Sequence, residues 1–349
     1  AISGVVAAHG WEGSFGTLLG WARSIPFFPE LLDIINPIFE DVLPYMGEYG
    51  GEIEGVWETL QQVHPNVTAE SSLGEIVALN AIYSLSAFCT SIVAEHANGT
   101  IFHGRNLDYP LPGLRGLTAD VTFINSSTGS SSPLYHGTAF LGYVGLLTGM
   151  KPGVVSISVN QRTVNGSQPV QEFLKNIEQA LSGGKLTGLF VRETLATAPD
   201  YHSAVASLNS TALIAPVYLT VGGVSRGEGA IITRNRDHAD DSAGAANGIW
   251  SLDAATGGWY RLETNYDHWK PAGDGRRAAG NEAMRRFTSN TIDLTALRKV
   301  LSTHPVLNAD TQYTSLMSAA TGAYSTIVRE SSSAKGHLRL GSDGVWRVQ

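Results

Sequence analysis

Hydrophobic positions change their spacing partway along the chain. Up to about residue 88 they recur at helical intervals: Trp11, Phe15 and Leu18 fall on one face, and Leu73, Ile76, Leu79, Ile82 and Tyr83 on another. Between them, IPFFPELLDIINPIFEDVLPYMG mixes Phe, Ile and Leu with Pro and acidic residues. It suits either a core helix pair or a surface that touches lipid, with the core reading ahead. From Cys89 onward short β-type runs take over, TSIVA, TIFHG, VTFI, VVSISV, APVYLTV, GAIITR and GIWSLD, separated by Gly, Asn, Asp and Ser turn signals. Helical patterns interrupt them at Val170, Phe173, Leu174, Ile177 and Leu181, at 186–197, at 282–287, and at Leu294, Leu297, Val300 and Leu301. The prediction is an α+β chain, stacked antiparallel sheets packed between helices, with a helical segment 1–88 leading a sheet-rich domain 89–349.

Composition narrows the class. With 349 residues the chain can bury a large core, in one domain or two. Charged residues are 15%, well below the roughly 25% of an average soluble protein, which suits a compact β-rich chain. A net charge of −8, with no run of Lys or Arg, excludes a nucleic-acid partner. No stretch of about 18 apolar residues is present, and the opening AISGVVAA lacks a Met and a charged n-region. Five N-x-S/T sites, at Asn66, Asn98, Asn125, Asn165 and Asn209, give mild support for a secretory route. The single cysteine, Cys89, rules out an internal disulfide, and on its own it reads as a buried apolar residue.

Its neighbours give Cys89 a second reading. In CTSIVAEHANGTIFHGRNLDYP two β-type runs flank Asn98-Gly99, the signal of a two-residue hairpin turn. That register places Asp108 opposite Cys89. Arg105 then lies at an odd offset from Asp108, so a bulge near Asn106 is expected to bring it back to the sulfur, where a guanidinium favours thiolate. The plainer alternative is a structural Arg105–Asp108 ion pair at a hairpin edge. His103 in its strand and His268 in a Trp-flanked loop read as structural, so no Cys–His dyad follows.

CTSIVA, HGRNLDYP, GTAFLGYVGLLTGMKPG, ITRNRD and ETNYDHWKPAGDGRR together resemble the acid-ceramidase-like group of N-terminal-nucleophile cysteine hydrolases, which includes acid amidases that hydrolyse N-acylethanolamines. The resemblance covers nearly all of the chain after Cys89 and is weaker before it. It implies an αββα sandwich and a precursor that cleaves itself between Phe88 and Cys89 into α and β subunits, in a lysosomal or extracellular acidic compartment. It implies that the Cys89 thiol is the nucleophile and that its freed α-amine is the base, a group with an intrinsic pKa of about 7.7–8.0. Asp108 would orient that amine, Arg105 would hold the thiol, Asn265 would donate to the oxyanion, and Arg276 would stand beside them. Gln161 occupies the place of a family glutamate that assists self-cleavage, a departure that puts activation in doubt while its backbone N–H can still serve the oxyanion. Tyr109, Leu146 and Leu147 are candidates to line an acyl channel for a lipid amide substrate, and the N-terminal helices for contact with a membrane surface. No metal or nucleotide signature is present and no cofactor is expected; GGVSRGEG at 222–229 reads as a strand-to-strand turn.

Overall fold

The computed structural model describes residues 1–24, 43–82, 88–111, 113–125, 132–162, 175, 176, 178–180, 182–240, 242, 246–329, 338–340 and 346–348. Most of the apolar–acidic stretch after Ser24, and the helical positions from Val170 to Leu181, lie outside these residues.

The lead is helical: α1 (Ile2–His9), α2 (Phe15–Ser24), α3 (Glu48–Val63), α4 (Val67–Glu70) and α5 (Leu73–Ile82). Trp11, Phe15 and Leu18 are all buried. The antiparallel strands β1 (Phe88–Glu95) and β2 (Ile101–Asp108) follow, then β3 (Thr118–Ile124), β4 (Pro133–Phe140), β5 (Thr148–Lys151) and β6 (Val155–Gln161). Helices α6 (Thr187–Thr197) and α7 (Tyr201–Ser210) precede β7 (Val217–Gly222), β8 (Gly229–Arg234), β9 (Ile249–Ser251) and β10 (Tyr260–Glu263). Helices α8 (Arg276–Met284) and α9 (Leu294–Leu301) come next, then β11 (Thr311–Ser318) and β12 (Ala323–Val328), and the small pair β13 (Leu338–Leu340) and β14 (Trp346–Val348). The helix expected over 282–287 therefore begins earlier, at Arg276, and ends at Met284.

Besides the β13–β14 pair, the described residues form two large sheets, one of five strands in the order β10-β1-β2-β11-β12 and one of seven running β3 to β9 in sequence order. They stack with β1 and β2 against β6, β7 and β8; α8 and α9 cover the outer face of the five-stranded sheet, and α6 and α7 cover the seven-stranded one. This is the αββα sandwich. The helical lead shares the main core rather than forming its own: Val5, Phe15, Ile53 and Ile76 lie in one apolar cluster with Leu219 and Tyr313. Its docking is also polar, since Asn80 on α5 donates to the Gly142 carbonyl at 3.1 Å and accepts from Val144 N at 2.7 Å.

The β1–β2 hairpin corrects the expected register. Glu95 pairs with Ile101 and His96 N donates to the Thr100 carbonyl, leaving a three-residue loop, Ala97 to Gly99, with Gly99 at φ 95°. A left-handed third residue closes such a loop, and Gly takes that conformation without Cβ strain. The one-residue change puts Asp108 opposite Phe88 and Leu107 opposite Cys89.

Candidate active site

Because side chains alternate along a strand, the observed register settles what faces what. Cys89 and Ser91 on β1 share a face with Leu107, Arg105 and His103 on β2, so Arg105 reaches the sulfur from a regular strand. The bulge expected near Asn106 is not in β2. The irregularity lies in the next strand, between Thr311 and Tyr313 of β11. Asp108 has the opposite parity and turns toward the helix layer, where Thr311 Oγ1 donates to Oδ1 at 2.6 Å and Asn308 Nδ2 to Oδ2 at 3.1 Å.

Each polar handle of Cys89 is held. Arg105 donates to Sγ at 2.7 Å. Asn265 Oδ1 accepts the Cys89 peptide N–H at 2.7 Å, and Arg276 donates to the Cys89 carbonyl at 2.7 Å. Cys89 itself is fully buried while Phe88, on the other side of the peptide bond, is 45% exposed. Burial pushes the Cys89 thiol up; Arg105, then Arg276, offset part of this and Asp108 adds to it.

Arg105 is fully buried, and among the described residues no carboxylate lies within ion-pair distance of it. Its remaining contacts are neutral: the carbonyls of Leu147 at 3.2 Å and Val159 at 2.8 Å, Thr148 Oγ1 at 2.7 Å and the Tyr313 hydroxyl at 3.3 Å. A buried cation surrounded by dipoles is a receptor for negative charge, and the sulfur, at 2.7 Å, is the nearest ionisable atom to it.

Arg276, at the first turn of α8, links the rest. It meets the Cys89 carbonyl and Asp108 Oδ2 (3.3 Å) through one nitrogen, Asn265 Oδ1 (2.8 Å) through the other, and stands 5.6 Å from the Phe88 ring centroid. Burial pushes the Asp108 carboxyl up to about 6, against the pull of its hydroxyl, amide and guanidinium partners.

Two expected contacts take a different form. Asn265 faces Cys89 through its oxygen, and its Nδ2 donates to the Gln161 carbonyl at 2.7 Å rather than toward an oxyanion. Asp108 reaches Cys89 through Arg276 while the peptide bond is whole, because Asn265 already takes the Cys89 N–H. Tyr109, Leu146 and Leu147 are buried in the main core. A cavity of about 400 Å³ is lined by α1, α3, Phe123, residues 139–145 and Arg192, and by none of these three residues. His103 is buried between Ser156 and Ser158, and His268 stacks on Trp250 at 3.9 Å. Asn308, Thr311 and the β11 bulge had no local signal, since they meet Asp108 from about 200 positions away.

No family model matches the chain. Individual proteins do. The rat N-acylethanolamine-hydrolyzing acid amidase is 39% identical over 308 residues, 86% of this chain and 78% of the relative. The chain belongs to the acid amidase and acid ceramidase family. The mouse acid amidase of that family is 42% identical over 266 residues (75% of this chain, 69% of the relative), and human acid ceramidase 32% over 315 residues (85% and 75%). Among solved structures, the Caenorhabditis elegans N-acylethanolamine-hydrolyzing acid amidase ortholog superposes with a TM-score of 0.59 at 32% identity, covering 66% of this chain and 93% of that one. As a member of the acid amidase and acid ceramidase family the chain is an amide hydrolase.

Proposed function

We propose that this chain is a self-activating cysteine amidase that hydrolyses lipid N-acylethanolamines to fatty acid and ethanolamine. The observation that carries the reading is the convergence on one residue: a cation on the Cys89 sulfur, an amide oxygen on its nitrogen and a second cation on its carbonyl.

Activation begins with attack of the thiol on the Phe88 carbonyl. The new S–C bond replaces the C–N bond, the nitrogen takes the thiol proton, and water hydrolyses the thioester to a Phe88 carboxylate and a free Cys89 α-amine. In turnover the α-amine takes the thiol proton, the thiolate adds to the substrate amide, and the amine returns the proton to departing ethanolamine. Water then releases the fatty acid. Arg105 stabilises the thiolate, Asn265 orients the nitrogen, and Asp108 together with Asp274 holds Arg276 in place. Gln161 enters the site through its carbonyl, a group any residue supplies, so this contact does not depend on a glutamate carboxyl.

Ceramide is the second reading, supported by the 32% identity to human acid ceramidase against 39% to the rat amidase. The test is intact-mass spectrometry before and after incubation near pH 4.5, then addition of palmitoylethanolamide and, separately, ceramide. Cleavage between Phe88 and Cys89 with faster release of fatty acid from the ethanolamide is expected, and Cys89→Ala abolishes both steps while leaving the far-UV spectrum unchanged. A whole, inert chain refutes the reading. Action in an acidic lysosomal or extracellular compartment, and contact of the N-terminal helices with membrane surfaces, belong to the same proposal; liposome flotation without binding at acidic pH refutes the latter. No helix among the described residues is long and apolar enough to cross a membrane.

A further inference from the structure

Three consecutive residues at the end of β6 reach across to the turn that carries Asn265. Asn160 donates through Nδ2 to the carbonyls of Glu263 at 3.2 Å and Thr264 at 2.9 Å. The Gln161 carbonyl receives Asn265 Nδ2 at 2.7 Å. Arg162 donates through Nε to Asp267 Oδ1 at 2.8 Å. These are three successive rungs, and the middle one belongs to the side chain that holds the Cys89 nitrogen. The rungs meet a need, because the β1–β10 ladder stops at Ser91 and Glu263 and Asn265 lies beyond it.

Both outer rungs are fixed from behind. Ser91 Oγ donates to Asn160 Oδ1 at 2.7 Å, which turns Nδ2 toward the carbonyls. Ser158 Oγ donates to Ser91 at 2.9 Å, and His103 lies between Ser158 at 2.8 Å and Ser156 at 3.0 Å. A hydroxyl has one proton to give. With the Ser91 and Ser158 protons committed, His103 donates from Nε2 to Ser158, while Ser156 Oγ, which donates to the Gly222 carbonyl at 3.1 Å, lies 3.0 Å from Nδ1. Burial favours the neutral ring, holding His103 down at about 3. On the other side the Arg162 fork also grips Asn235 at 2.8 Å and Asp240 at 2.5 Å, while Asp267 accepts from the Tyr218 hydroxyl at 2.7 Å and Lys270 at 2.8 Å.

We infer that Asn160 and Arg162 are positioning residues that clamp the Asn265 turn from either side of Gln161, so that the Asn265 amide spans the gap to Cys89. The inference rests on the reading of Cys89 and Asn265 as the reacting centre. Neither residue touches Sγ; each acts through Asn265, and a misplacement of about 1 Å is enough to cost about 10²-fold in rate.

The test is a double-mutant cycle on the full chain, with palmitoylethanolamide as substrate and melting temperature followed in parallel. Asn160→Ala and the milder Arg162→Lys, which keeps the charge and loses the fork, are each made alone and together with Asn265→Ala. The expected result is a loss of about 10- to 100-fold in kcat with KM changed less than about threefold, and no further loss once Asn265 is absent. Losses that multiply in both backgrounds, that fall on KM, or that track the unfolded fraction overturn the inference. A native chain that turns over neither lipid amide overturns the underlying reading and the inference with it; one that turns over normally while the variants keep full kcat overturns the inference alone.

Discussion

Arg105 is a buried cation whose nearest ionisable partner is a thiol, and that is an unstable arrangement unless the sulfur carries charge for part of the cycle. Arg105→Met therefore raises the Cys89 thiol further. The pH profile of alkylation by iodoacetamide moves to higher pH, and the reaction at fixed pH near neutrality is slower, since less of the sulfur is thiolate. The substitution also strips donors from the Leu147 and Val159 carbonyls, at about 1–3 kcal/mol each, so a lower melting temperature accompanies it. Cys89, Arg105 and Asp108 were legible as a group because one hairpin brings them together within twenty positions. Asn265 and Arg276 were legible only through resemblance. Asn160 and Arg162 were not legible at all: their partners in the Asn265 turn lie more than 100 positions away, and VNQR reads locally as a strand running out into a loop.

Among the elements, the hairpin was found with its register one residue out. Asn98-Gly99 signals a two-residue turn, yet Gly99 alone takes the left-handed position and closes a three-residue loop. The correction removes the need for a bulge in β2, because Arg105 and Cys89 share parity without one. The strand β11 escaped notice for a different reason. TQYTSLMS shows no alternation since both faces are buried, with Ser315 and Tyr313 toward the second sheet and Thr314 bonded to Asn106 at 2.6 Å. On that outer face α9 presses close to β2. A Cβ added at Gly104 falls 2.9 Å from Leu301 Cδ1, close enough that the leucine must shift, and 3.4 Å from Leu297, at the edge of ordinary contact. Gly104→Ala should cost about 1–3 kcal/mol in urea unfolding, and Leu301→Ala in the same chain should restore part of the loss relative to either change added separately.

Taken whole, the molecule holds two buried acids, Glu263 and Asp108, and two buried histidines, His268 and His103, with opposite signs. Burial raises Glu263 from 4.5 to about 8 and Asp108 from 3.8 to about 6, so the folded chain keeps protons that the unfolded chain has released. Their stabilisation is complete below the unfolded values and is lost as pH rises through the folded ones. Burial lowers His268 to about 4 and His103 to about 3 from 6.5, so unfolding takes up protons there and stability rises with pH up to about 6.5. These two pairs offset each other on the acid side, where the lowered Asp240 and Asp267 carboxyls add a rise of stability with pH. Between about 6.5 and 8 the Glu263 contribution stands largely alone, and stability falls by up to about 1.4 kcal/mol per pH unit. Calorimetry across that range checks the slope, and Glu263→Gln flattens it. The helical lead, finally, shares its apolar cluster with both sheets, Val5 and Ile53 alongside Leu219 and Tyr313. A polypeptide nicked at residue 88 thus loses its covalent thread and none of its packing. It elutes as a single particle at the intact size, shows two bands on a denaturing gel, and is indifferent to reductant because Cys89 has no second cysteine to join.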